Sequence, residues 1–171
     1  ITSFVGQWLQ TRDLETLPVQ AAEILGEPSR RDASKMFSPV LREDMAREAE
    51  MLFEFALRQG RPAEELVSAR YSFLNERLAT YYGVEGPKGE AMQAVDLTEH
   101  PERGGLLAQA GFLIVTSNPT RTSPVKRGLF VLDNLLDTPA PGTATAITSS
   151  TMRLSRSTLS ATMPVKRHCA G

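Results

Sequence analysis

Apolar residues recur at three- and four-residue spacing in several stretches of this chain, and each such stretch predicts a helix. Phe4, Val5, Trp8 and Leu9 share one face, so residues 1–10 are expected to form the end of a helix begun upstream. Pro18 stops that pattern. The clearest signal runs over 40–59. There Leu41, Met45, Ala49, Leu52, Phe53 and Ala56 form a stripe, and Glu43, Asp44, Arg47, Glu48 and Glu50 fill the remaining positions. Acidic residues crowd its first half, Arg58 sits in its last turn and Gly60 follows, the order that the helix dipole and a glycine stop favour. Pro62 opens a short helix over 62–69. Phe73, Leu74, Leu78, Tyr81 and Tyr82 predict another over 73–82, ended by Gly83.

Beyond Gly83 glycines and prolines are dense, and residues 92–97 alternate as a short strand would. Leu106 to Val115 reads as a helix whose β-branched end is its weaker part. Ser123 is an N-cap with Pro124 at the first helical position, and Val125, Leu129, Leu132, Leu135 and Leu136 extend a helix over 124–136. Thr143 to Thr162 is rich in Ser, Thr and Ala with weak periodicity, the composition of a linker or disordered tail. The fold class is therefore mainly α, an irregular helical domain. The helices from Val40 and from Ser123 are expected to pack through their Leu and Phe stripes.

The 171 residues suffice for one domain with a sizeable core. A net charge of -1 excludes a generic nucleic-acid binder. The charge is uneven: no Asp or Glu follows Asp137, whereas Arg153, Arg156, Lys166 and Arg167 do. No apolar run approaches the roughly 18 residues of a membrane helix. The chain starts at Ile1 without an initiator Met, and is read as a fragment at both ends.

Candidate chemistry is sparse. His100 and His168 are the two histidines, and no HExxH, paired CxxC or phosphate-binding glycine loop is present. Gly104-Gly105 reads as close backbone packing rather than a phosphate loop. The carboxylates of 43–50 read as a solvated helix face. Glu48 or Glu50, if turned inward, needs a partner such as Arg77 or Arg127. Arg121, Thr122, Ser123, Lys126 and Arg127, with Arg103, are candidate anion ligands, since cations, hydroxyls and free helix N–H groups suit an acidic ligand. The competing and favoured reading is a capped helix start whose cations brace nearby loop carbonyls. Haem c attachment needs two thiols spaced C-x-x-C, followed by His. Cys169-Ala170-Gly171 supplies one thiol and both spacers, and Cys-His in the next two places would complete the motif.

Four stretches, in this order, carry a resemblance: FVGQWLQTRDLETL, LREDMAREAEMLFEFALRQGRPAEELVSARYSFLNERLATYYGV, RGGLLAQAGFLIVTSNPTRTSPVKRGLFVLDNLL and DTPAP. The chain resembles the planctomycete-type cytochrome-associated domains of unknown function over about residues 1–141. The most specific pieces are Tyr71 to Ala79 with Tyr82-Gly83, and Thr120 to Gly128. The resemblance implies a helical cytochrome-associated domain over 1–138, truncated at its N-terminus. A linker and the start of a haem-motif module follow over 139–171. The Thr143–Met163 link departs from the family, lacking its prolines and its acidic, leucine-rich sequence. The resemblance implies a periplasmic or secreted parent protein with haem c, and other domains of that chain, a haem domain among them, as partners. It carries over no catalytic residue. No cofactor and no turnover are expected of residues 1–171 themselves; an acidic polysaccharide is the alternative partner.

Overall fold

Ser38 stops the backbone in an extended conformation, and its side chain accepts the N–H of Leu41, so a helix can begin at Pro39. In the computed structural model, which describes residues 1–20 and 37–139, this helix is the spine of the fold. The helices are α1 (Thr2–Trp8), α2 (Pro39–Arg58), α3 (Glu65–Ser68), α4 (Glu76–Tyr82), α5 (Ala110–Val115) and α6 (Pro124–Phe130). One antiparallel pair joins β1 (Tyr71–Leu74) to β2 (Gln93–Asp96), with Tyr71 opposite Asp96 and Leu74 opposite Gln93. The described residues are mainly helical, with this small sheet as the exception.

The expected stripe of α2 is the buried one. Leu41, Met45, Ala49, Leu52 and Ala56 all lie inside, each apolar side chain of Leu size contributing about 1.5–3 kcal/mol. One end of the stripe meets Leu14, Leu74, Leu78 and Leu97; Ala49 meets Val5, Leu9, Leu106 and Phe112; Leu52 meets Ala69 and Phe73.

Four expected helices are corrected. Residues 73–74 belong to β1, because the Asn75 side chain accepts the N–H of Leu78 and starts the helix only at Glu76. Phe73 and Leu74 mimic a helical stripe with Leu78, although they are buried on a strand. Residues 106–115 are not one helix: Leu106–Ala108 form a 3₁₀ turn, and Gln109 is extended before α5. The helix over 124–136 is α-helical only to Phe130 and continues as a π turn over Val131–Leu135. Within 62–69, only Glu65–Ser68 is α-helix, after turns through Pro62. The strand read near 92–97 is present over 93–96. The Ser123 helix reaches the core near Ala49 through Phe130, whose ring meets Phe112 edge-on at 5.3 Å, whereas Val125 and Leu136 of its stripe are exposed. The Thr143–Thr162 stretch lies outside the described residues.

Candidate functional site

The cation-rich stretch begins with the expected cap. Ser123 Oγ accepts the N–H of Lys126 at 3.3 Å, with Pro124 at the first helical position. The side chains that follow turn back onto the preceding loop. Lys126 Nζ donates to the Ser117 carbonyl at 3.0 Å, and Arg127 Nε donates to Thr116 Oγ1 at 3.2 Å. Asn118 N–H donates to the Arg121 carbonyl at 2.9 Å, closing the turn between them. Arg121 and Thr122 are exposed. Arg103 lies apart, its guanidinium 4.8 Å from the centre of the Tyr82 ring. Two of the candidate cations are thus committed to their own loop, the arrangement expected of a braced helix start. Cys169 lies outside the described residues.

Sequence spacing placed Glu48 among solvated carboxylates or, turned inward, beside an arginine. It is fully buried, and neither arginine is its hydrogen-bond partner. Ser72 Oγ donates to Glu48 Oε1 at 2.6 Å, and the Tyr82 hydroxyl donates to Oε2 at 2.6 Å. Tyr82 in turn accepts the N–H of Ala110 at 2.8 Å, and Ser72 accepts from Gln109 Nε2 at 3.4 Å. Burial pushes the Glu48 carboxyl up to about 7; the two hydroxyls and the Arg103 charge oppose that rise. The Tyr82 phenol is held well above its ordinary range by burial and by the neighbouring Glu48 charge.

Arg77 pairs instead with Asp44, at 2.8 Å from Nε to Oδ2, and with the exposed Glu90 at 3.0 Å. Arg127 pairs with Thr116 as above. His100 faces Glu102, 3.5 Å from Nδ1 to Oε1. Gly104 and Gly105 do serve close backbone packing. A Cβ on either would collide with the carbonyl of Ala69 or Val67, and Gly105 has φ of +73°. A groove between α1 and α2 is lined by Thr11, Arg12, Arg42, Glu43, Arg47 and Glu50, charges of both signs. No cluster of metal-ligating side chains is found among the described residues.

Residues 1–84 match the family model PSD4, a protein of unknown function (DUF1592). Residues 103–170 match PSCyt3, a protein of unknown function (DUF1588). The resemblance read from the sequence holds. The chain carries two planctomycete cytochrome-associated domains of unknown function, in that order. The second match runs across the Thr143–Met163 link and includes Cys169. No curated protein matches the chain, and no solved structure does.

The packing crosses from one matched segment to the other. Trp8 Nε1 donates to the Asn134 carbonyl at 2.9 Å, and Gln20 N–H to the Pro119 carbonyl at 2.8 Å. Glu48, Ser72 and Tyr82 lie in 1–84; Gln109, Ala110 and Arg103 lie in 103–170. The buried carboxyl therefore stands on the seam between the two domains. The signal for its burial is its spacing, three residues after Met45 and four before Leu52, although the sequence reading favoured a solvated face. Its hydroxyl partners left no such signal, because both come from elements distant in the chain.

The residues present do not by themselves fit haem c. The chain has one cysteine, and His100 is engaged by Glu102. A second thiol and an axial His would have to come from residues after Gly171.

Proposed function

We propose that this chain is a helical accessory module of an extracytoplasmic, multidomain c-type-cytochrome-like protein. In that protein it supports redox or electron-transfer assembly and carries out no turnover of its own. The observation that carries the reading is the cytochrome-associated match over 103–170, which takes in Cys169-Ala170, with Gly171 next in the chain. Those residues stand as the first half of a haem-attachment motif in the parent chain. Among the described residues the two matched segments share one core. Other domains of the parent chain, a haem domain among them, are its partners.

The test is a pyridine-haemochrome spectrum of the parent protein, exported in a host with haem-attachment machinery. The reading expects covalent haem that drops by one haem per chain in Cys169→Ala. An unchanged haem content in that variant contradicts it. The anion or acidic-glycan reading rests on the exposed Arg121 and Thr122, because Lys126 and Arg127 are engaged. Unchanged binding to sulfated oligosaccharides in Arg121→Ala removes it.

A further inference from the structure

Protons in the Glu48 cluster can be assigned from its donors. Tyr82 Oη already accepts the Ala110 N–H, so its own proton points to Glu48 Oε2. Ser72 Oγ accepts from Gln109 Nε2, so its proton points to Glu48 Oε1. Two hydroxyls thus donate to two carboxylate oxygens, which is the arrangement of an ionised Glu48. Gln109 Oε1 is left buried without a partner.

A proton on Oε1 reverses one branch. Glu48 then donates to Ser72 Oγ, and the Ser72 proton needs a new acceptor. Among the described residues the amide beside Ser72 is that of Gln109, turned about its last bond so that Oε1 faces Ser72. That turn exchanges one unpartnered amide atom for the other, so the amide itself favours neither state. The proton on Glu48 decides.

We propose that Glu48 is a buried proton-binding site whose occupancy sets the direction of the Glu48–Ser72–Gln109 chain across the seam between the two domains. The site needs no haem and does not rest on the function proposed above. The ionisable groups that face it are few. Tyr82 donates from α4, and Arg103 lies over the Tyr82 ring. On α2 itself Asp44 is engaged by Arg77. Tyr71, on β1, is turned to Glu65 at 2.8 Å. The stretch Leu106–Val115 carries no ionisable side chain. Burial already holds the carboxyl near neutrality, where a one-unit change in pH exchanges the two states.

Nuclear magnetic resonance on the 171-residue chain tests this, following the Glu48 carboxyl carbon and the Gln109 side-chain amide in one titration. Glu48 is assigned by its contacts to Tyr82. Both signals are expected to move with a common midpoint near 7. In Glu48→Gln, which mimics the protonated acid, the Gln109 amide is expected at its low-pH position at every pH. A Glu48 carboxyl that titrates below about pH 5.5 overturns the proton site. A Gln109 amide that stays still while Glu48 titrates overturns the chain. If Glu48→Gln does not fold, Tyr82→Phe serves instead. It removes one donor to the ionised form and should raise the Glu48 midpoint by about one pH unit; an unchanged midpoint contradicts the assignment.

Discussion

At the scale of single residues, Glu48 dominates the account, because a carboxyl on the buried stripe of a helix carries a cost that its neighbours only partly offset. Its ordinary value is 4.5 and its folded value is about 7, so between these the folded chain binds more protons than the unfolded one. The Glu48 contribution to stability should therefore be greatest below about pH 4.5 and fall as pH rises through 7, by about 3 kcal/mol in total. Urea unfolding at a series of pH values checks this, and Glu48→Gln should remove that part of the slope. Gly105 gives a second residue-scale prediction. Its φ of +73° and the Val67 carbonyl against its missing Cβ mean that Gly105→Ala cannot be relieved by a side-chain turn. A loss of about 3 kcal/mol or more is expected in thermal or urea melts. The sequence reading took Glu48 for part of a solvated face, with an inward turn of Glu48 or Glu50 as the alternative, and marked Gly105 as half of a glycine pair. It did not name the groups that touch them, since Ser72, Tyr82 and Val67 arrive from other elements.

At the scale of elements, periodicity located α2 to within a residue at each end, because its stripe, cap and glycine stop agree. It misread residues 73–74. Their apolar spacing fits a helix, but pairing with β2 fixes them as strand, a contact between residues some twenty apart in sequence that no local pattern contains. Asn75 is the switch between the two conformations. It is fully buried, its Oδ1 caps Leu78 N–H at 2.9 Å, and it marks the strand-to-helix boundary. Asn75→Ala should cost about 1 kcal/mol, with loss of helical circular dichroism limited to about one short helix. The Ser123 stretch behaved as the simpler of its two readings. Its cations hold the 116–117 turn, so Lys126→Ala and Arg127→Ala should loosen that turn, seen as faster amide exchange at Thr116 and Ser117. The π turn over 131–135 has no counterpart in the sequence pattern, because Leu132, Leu135 and Leu136 fit an ordinary α-helix equally well.

At the scale of the whole molecule, the segments matched by two family models meet in one core, whereas the sequence resemblance placed residues 1–138 in one domain and began the second module only at 139. Leu14, Met45 and Leu78 pack with Ala110, and Val5, Leu9 and Ala49 pack with Phe112 and Phe130. Trp8 on α1 and the Asn134 carbonyl on the π turn close the two ends of the described chain onto each other. Unfolding should accordingly be a single transition, with Trp8 fluorescence and far-ultraviolet circular dichroism giving coincident curves. Two separated curves would mean that the segments fold apart. The functional part of the account hangs on Cys169, which lies outside the described residues. Peptide mapping by mass spectrometry of the exported parent protein is the most direct test. The account predicts that the peptide holding Cys169 carries the mass of haem; a Cys169 peptide found only in its unmodified form would contradict it.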